Sequence, residues 1–135
     1  MKAKPATSGR PQRDERGSVS LELVILLPAL FAVMFLGMQA ALFYHARTVA
    51  IAAAQEGAKT AGGENGKEAD GASAASSFVV EAGGDDVLKG ATATANRTAT
   101  TVTVTVRGHS LSVIPGWNPL IVQSASVPVE RLTAP

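Results

Sequence analysis

Cysteine is absent from the 135-residue chain, and histidine occurs only twice. The lack of cysteine excludes a disulfide scaffold, CxxC redox chemistry and cysteine-ligated zinc. The sequence also contains no G-x-S-x-G, no P-loop and no H-E-x-x-H motif. A net charge of +1 gives no indication of a nucleic-acid partner. These absences predict a protein that is not an enzyme, requires no cofactor or metal, and does not bind nucleic acid.

The few side chains with metal-binding chemistry have simpler explanations. His45 follows Tyr44 at the end of an apolar run, where amphipathic rings commonly anchor a helix at a membrane surface. His109 lies in a predicted strand, and we expect it to face solvent. Asp85 and Asp86 follow two glycines and resemble half a calcium loop, but the other alternating oxygen ligands of that motif are missing. A solvated turn is the better interpretation.

One long uncharged run dominates the N-terminal third of the chain. Residues 23–44 contain no charge, and about 22 residues of helix extend about 33 Å, close to the hydrocarbon thickness of a bilayer. The alternative is a cleaved secretory signal, for which Ala40 and Ala41 supply small residues near the end of the run. The apolar part of such a signal is only about 7–15 residues long. The length therefore predicts a transmembrane helix.

The charges that flank this run indicate its orientation. Side chains before Gly17 carry a net charge of +3, whereas residues after the run contain seven bases and eight acids. Because basic residues near a span favour the cytoplasmic side, we expect a cytoplasmic N-terminus and an extracytoplasmic C-terminus. The bases before the span are Lys2, Lys4, Arg10, Arg13 and Arg16.

Changes in composition divide the chain into three parts. Residues 1–17 are polar and basic without a hydrophobic period, which predicts a disordered cytoplasmic leader. Residues 18–61 combine the transmembrane helix, beginning near Ser20, with an alanine-rich extracytoplasmic extension. Glycines at 62 and 63 predict its end. Residues 62–135 are expected to form a small extracytoplasmic head.

The head begins with a weaker helical pattern over residues 68–81. Its apolar stripe is expected to contain Ala69, Ala72 or Ala75, Phe78 and Val79.

After residue 86 the pattern changes to the period of two that is typical of strands. Asn96 and Arg97 are expected to form a hairpin turn. In the second arm, valines alternate with threonines, which predicts a sheet covered on one face, with Val102, Val104 and Val106 inward.

Residues 115–119 predict a loop, and residues 120–132 a final strand in which Pro128 suits an edge or a bulge. The predicted fold class is α+β: a long N-terminal transmembrane helix that extends into a small head with a short helix and an antiparallel sheet of about three strands.

A basic leader ends at Gly17, and Glu22 is the fifth residue counted from Ser18. This arrangement resembles the processing site of type IV prepilins. The segment "RGSVSLELVILLPALFAVMFLGMQAALFYHARTVAIAAAQEGAKTA", residues 16–61, resembles the TadE-like family, the pseudopilin-type proteins of tight-adherence (Flp-type) pilus systems. One difference is Leu23, where related sequences often carry an aromatic residue.

The resemblance implies cleavage after Gly17 by a prepilin peptidase on the cytoplasmic side of the membrane. It further implies that the partners are other pilins or pseudopilins and a membrane assembly platform.

Glu22 has two interpretations. Cleavage creates an α-ammonium group at Ser18, and by analogy with pilins Glu22 would pair with this group in the same or a neighbouring subunit, which favours correct register during assembly. The alternative is that Glu22 lies in the headgroup zone and contacts water.

Three further positions are candidates for assembly or binding. Pro28 would kink the helix and help subunits pack, although prolines are also tolerated in transmembrane helices without such a role. Gly37 and Ala41 form a small-x-x-x-small pair that would admit a second helix, a spacing that is common by chance in alanine-rich segments. Trp117 is either a surface anchor for a partner or a side chain that packs in its turn and adds bulk to a thin sheet.

The sequence thus predicts a pseudopilin-like or minor-pilin-like component in the assembly of a tight-adherence pilus. It would be a single-pass protein of the cell membrane, with possible incorporation into the pilus. The alternative is a membrane-tethered binding domain, or a minor pseudopilin of another secretion or competence system.

Overall fold

The structure, a computed structural model, describes the backbone of residues 11–131 and the side chains of residues 17–131. Two helices are followed by three strands, which confirms the predicted α+β class. The chain divides into two compact units, Met1–Leu36 and Gly37–Pro135. The elements are α1 (Pro11–Gly62), α2 (Glu68–Glu81), β1 (Leu88–Arg97), β2 (Thr101–Ser110) and β3 (Leu120–Pro128).

Helix α1 begins earlier than the sequence indicated. The described backbone is already helical at Pro11, so the expectation of a disordered leader is wrong for residues 11–17, while residues 1–10 lie outside the described part. Proline is well suited to a first helical position because its missing N–H has no intrahelical partner there. Asp14 and Glu15 follow within about a turn, where the helix dipole favours negative charge.

The first unit contains the apolar part of α1. Its large hydrophobic side chains from Val19 onward are exposed, and an 18-residue window of this helix has a mean hydropathy of 2.5 with none of it buried. The helix continues through Pro28 without interruption. By length and composition it can cross a membrane.

In the second unit, α1 packs through small residues. The alanines on its inner face are all fully buried, as are the three valines predicted to face inward from β2. Small side chains on the helix allow the sheet to approach closely, and the valines fill the space between them. The residues are Ala46, Ala50, Ala53, Ala54, Ala58 and Ala61 on α1, with Val102, Val104 and Val106 on β2.

The sheet is antiparallel, with the strands in the order β1-β2-β3. Its hairpin turn lies at residues 98–100, not at Asn96 and Arg97, which remain paired in β1. The displacement has a local cause: the Thr98 backbone N–H donates to the Thr101 carbonyl at 2.8 Å, and the Thr98 hydroxyl accepts from the Thr101 N–H at 3.0 Å. Such hydroxyl-to-backbone bonds stabilise tight turns.

Pro128 lies on β3, an edge strand of the sheet, as expected. Proline is tolerated there because its missing N–H removes no hydrogen bond between inner strands. The strand ends at Pro128, short of the predicted residue 132, and the predicted loop at residues 115–119 lies outside the strands.

Helix α2 has the predicted bounds, Glu68–Glu81. Ala75 and Val79 are buried as expected, whereas Ala69 is exposed and the buried stripe begins at Gly71 instead. The two helices meet at glycines: a Cβ on Gly71 would lie 2.6 Å from the Ala61 Cβ. The sequence pattern included Ala69 and missed Gly71, because glycine has no side chain that contributes to an apolar pattern.

Candidate functional site

The proposed processing site lies on the first unit's helix. Gly17, Ser18 and Glu22 are all helical and exposed. Ser18 and Glu22 are four residues apart, so they occupy one face of the helix with an axial separation of about 6 Å. This spacing would place an α-ammonium group at residue 18 within side-chain reach of the carboxylate.

The helix after Glu22 is apolar on all sides. Leu21, Leu23, Val24 and Ile25 are between 49% and 71% exposed, so no face of this segment is covered by the residues that the structure describes. A helix that is hydrophobic all round is stable only inside a bilayer or among other helices. Burial of each such side chain contributes about 1.5–3 kcal/mol.

Pro28 lies in the middle of this exposed segment. Because proline has no N–H, the Val24 carbonyl has no intrahelical donor at that position. A shallow apolar concavity surrounds this part of the helix, and it belongs to one helix alone. It is lined by Leu23, Leu26, Leu27, Ala29, Leu30 and Val33.

The small-residue pair is open. A Cβ added to Gly37 would meet no atom within 4 Å, and Ala41 is exposed. This surface therefore has room for another helix, and its role stays a prediction.

Gln39 is a functional candidate that the sequence reasoning missed. Its side chain is only 3% exposed, and its Oε1 accepts hydrogen bonds from the Val113 N–H at 2.9 Å and the Ser112 hydroxyl at 3.1 Å. Its Nε2 lies 3.4 Å from the Leu111 carbonyl, a weaker contact. Gln39 therefore fastens the β2–β3 loop to α1. A lone amide within an apolar run was the available signal.

Arg97 was assigned to a turn but acts at the opposite end of the same helical segment. Its Nη1 donates to the Ala61 carbonyl at 2.8 Å and also to the Gly66 carbonyl. Its backbone N–H donates to the Glu68 carboxylate at 2.8 Å. The guanidinium satisfies carbonyls at the C-terminus of α1, where the helix dipole favours a positive charge.

Trp117 does not contribute to the buried core, because its side chain is 49% exposed. It lies in the β2–β3 loop, where its backbone N–H donates to the Ile114 carbonyl at 3.3 Å. His45 and His109 are both exposed, as expected. Asp85, also exposed, accepts a hydrogen bond from the Gly90 N–H at 3.2 Å, in agreement with a solvated turn.

The described residues contain no group of three or more His, Cys, Asp or Glu side chains that could hold a metal ion. A shallow hollow between α1 and α2 contains two exposed carboxylates, Glu56 and Glu81, with Phe78, Ala74 and Ser77 beside them. It offers no histidine or activated nucleophile.

Comparison with protein families gives one match. A family model described as TadE-like protein matches residues 17–59. The match starts at Gly17 and includes Glu22, Pro28 and the alanine-rich extension. We found no significant match to the chain among curated proteins or among solved structures.

Proposed function

We propose that the chain is a pseudopilin-like component in the assembly of a tight-adherence pilus, because a TadE-like family model matches residues 17–59. The family match supports a pilus-associated role, and TadE-like proteins are not known as enzymes. The single apolar helix near the N-terminus is consistent with a single-pass membrane protein. The observation that carries the proposal is an apolar helix, exposed on every side, with one carboxylate five residues after Gly17.

The lipid-facing segment in this proposal is residues 19–38, a revision of the span 23–44. Gln39 is buried by the β2–β3 loop, and Ala46 and Val49 are buried by the head, so α1 from Gln39 onward is partly covered by protein. The remaining segment is about 20 residues and about 30 Å long, sufficient to cross the hydrocarbon core. The revision moves Glu22 about one turn inside the span.

An ionised Glu22 at that depth requires a partner. At the centre of a helix an acidic residue costs about 2.5–3.5 kcal/mol to insert, and less towards the ends. Cleavage after Gly17 by a prepilin peptidase would supply the partner, because the new α-ammonium at Ser18 lies one turn away on the same face. Pairing of Glu22 with the Ser18 ammonium of a neighbouring subunit would set the register of two helices in the pilus.

The first test is the N-terminal sequence and intact mass of the full chain, isolated from membranes of cells with and without a prepilin peptidase. We expect a mature start at Ser18 that depends on the peptidase. A start at Met1 under both conditions contradicts processing and leaves a membrane-tethered binding domain. A start near Ala41 contradicts the membrane anchor and indicates a secreted protein.

A charge-matched pair of variants tests the role of Glu22. Glu22→Gln removes the charge but preserves the shape, whereas Glu64→Gln makes the same change at an exposed position of the head. We expect Glu22→Gln to be inserted and processed but to lose cross-linking to other pilins and assembled pili, with Glu64→Gln unaffected. Normal assembly by Glu22→Gln would contradict the pairing and favour a Glu22 that contacts headgroups and water.

A further inference from the structure

We propose that the β2–β3 loop, residues 111–119, together with the start of β3, rests on the headgroup region of the bilayer that α1 crosses, with Trp117 as its anchor. The inference depends on the membrane span of the proposed function, but not on cleavage or on a role in pili.

The loop is held close to the end of the lipid-facing segment. Gln39 binds Ser112 and Val113 through two good hydrogen bonds, and it directly follows Met38, the last residue of the lipid-facing segment. Consecutive Cα atoms are 3.8 Å apart, so the Gln39 backbone adjoins the end of that segment. Residues 111–113 are therefore confined near the membrane surface from which α1 emerges.

The side chains that the loop exposes suit this location. Trp117 is 49% exposed, and Leu120, at the start of β3, is 59% exposed. Tyr44 on α1 is also exposed. Tryptophan and tyrosine are enriched where the hydrocarbon core meets the headgroups, because each has an apolar ring with a polar group.

The loop is ordered in a way that keeps Trp117 outside. Gly116 adopts a φ of +77°, a conformation that favours glycine, and the Ser110 N–H donates to the Pro119 carbonyl at 3.0 Å, which closes the base of the loop. The Trp117 backbone N–H donates to the Ile114 carbonyl within the turn. The indole ring is thus presented by a fixed turn.

The charges nearby fit anionic headgroups. Sheet register places His109 opposite Leu120, and it also places Lys89 opposite His109. Arg107 lies opposite Val122 one step further along the sheet. Lys89 and Arg107 are basic and exposed, and they share the outer face of the sheet with Leu120 and Val122.

Two carboxylates lie near the same end. Asp85 and Asp86 precede β1, and Asp85 already accepts the Gly90 N–H. They offset part of the basic charge, so we expect the apolar ring of Trp117, and not net charge, to provide most of the contact.

Trp117 is the only tryptophan in the chain, so its fluorescence reports on this site without a label. The full chain is reconstituted in vesicles of phosphatidylcholine and phosphatidylglycerol, with or without bromine on the acyl chains. We expect a blue-shifted emission, a loss of intensity with brominated lipid, and protection from iodide in the aqueous phase.

A matched variant provides the control. In Trp117→Phe/Ala99→Trp the tryptophan moves to the β1–β2 turn, at the opposite end of the sheet, where Ala99 is exposed. We expect iodide to quench this tryptophan, and brominated lipid to leave it unaffected. The proposal would be overturned if brominated lipid quenched Trp117 no more than it quenches the control tryptophan. Protection of Trp117 from both quenchers would also overturn it, because that result means that protein covers the ring. Normal processing after Gly17 in the same preparation would show that the function proposed above survives such a failure.

Discussion

Substitution of Gln39 by alanine tests whether one amide fastens the β2–β3 loop to α1. The change removes the acceptor of the Val113 N–H and of the Ser112 hydroxyl, and it leaves that N–H in a partly buried site. A neutral hydrogen bond contributes about 1 kcal/mol, and an unsatisfied buried donor costs about 1–3 kcal/mol. We therefore expect the loop to open more easily by about 2 kcal/mol.

Hydrogen exchange of backbone amides in the reconstituted full chain measures this opening directly. A change of 1.4 kcal/mol corresponds to a factor of ten, so about 2 kcal/mol predicts roughly 30-fold faster exchange at Val113. The amides in the centre of β2, such as that of Val104, should keep their protection because they are paired on both sides. The expected effect is therefore local.

The control is Gln55→Ala, which makes the same change at an exposed position on α1. It should leave exchange in the loop unaltered. If Gln39→Ala also left exchange at Val113 unchanged, the hydrogen bonds of Gln39 would not hold the loop. If exchange accelerated equally throughout the sheet, Gln39 would stabilise the whole head and not a separable loop.

Two further substitutions test how the other parts of the head are held. Arg97→Met, which keeps the aliphatic stem but removes the bonds to the end of α1, should lower the free energy of unfolding by about 2–3 kcal/mol in chemical denaturation. Arg107→Met, at an exposed site, should change it little, and equal losses would contradict the capping role. Gly71→Ala should destabilise the head by about 1–3 kcal/mol because its Cβ would lie 2.6 Å from the Ala61 Cβ. Gly37→Ala, with open space around it, is the control, and a tolerated Gly71→Ala would refute a rigid contact between the helices.

Local patterns were sufficient to predict most of the fold. The alternation of valine and threonine identified the buried face of β2 correctly, and glycines at 62 and 63 located the end of α1 to within one residue. Both features depend on neighbours in the sequence. The hairpin turn was displaced because Thr98 supplies a turn through its hydroxyl, a weaker signal than the asparagine two residues earlier.

The contacts of the candidate site could not be predicted in the same way. Gln39 binds residues more than seventy positions away, and Arg97 reaches the end of α1 across more than thirty positions. Neither pairing leaves a periodic pattern in the sequence. The apolar segment was found from sequence because it depends on composition and length alone, whereas the role of Glu22 stays a prediction. In the proposed function the lipid-facing segment ends at residue 38 instead of residue 44, and only the fold reveals the reason, which is that Gln39 is covered.

The packing of the head explains why the hydrogen bonds of Gln39 and Arg97 are needed to position it on α1. The inner face of α1 presents alanines at successive turns. A sheet displaced along the helix by one turn would therefore contact a similar surface. Gln39 at one end and Arg97 at the other recognise specific backbone groups, and a shift of about 5.4 Å would break both sets of bonds. They therefore fix the position of the head along α1. In the proposed function the head covers the helix from Gln39 onward, so the same contacts would define where the lipid-facing segment ends and, through its length, how deep Glu22 lies.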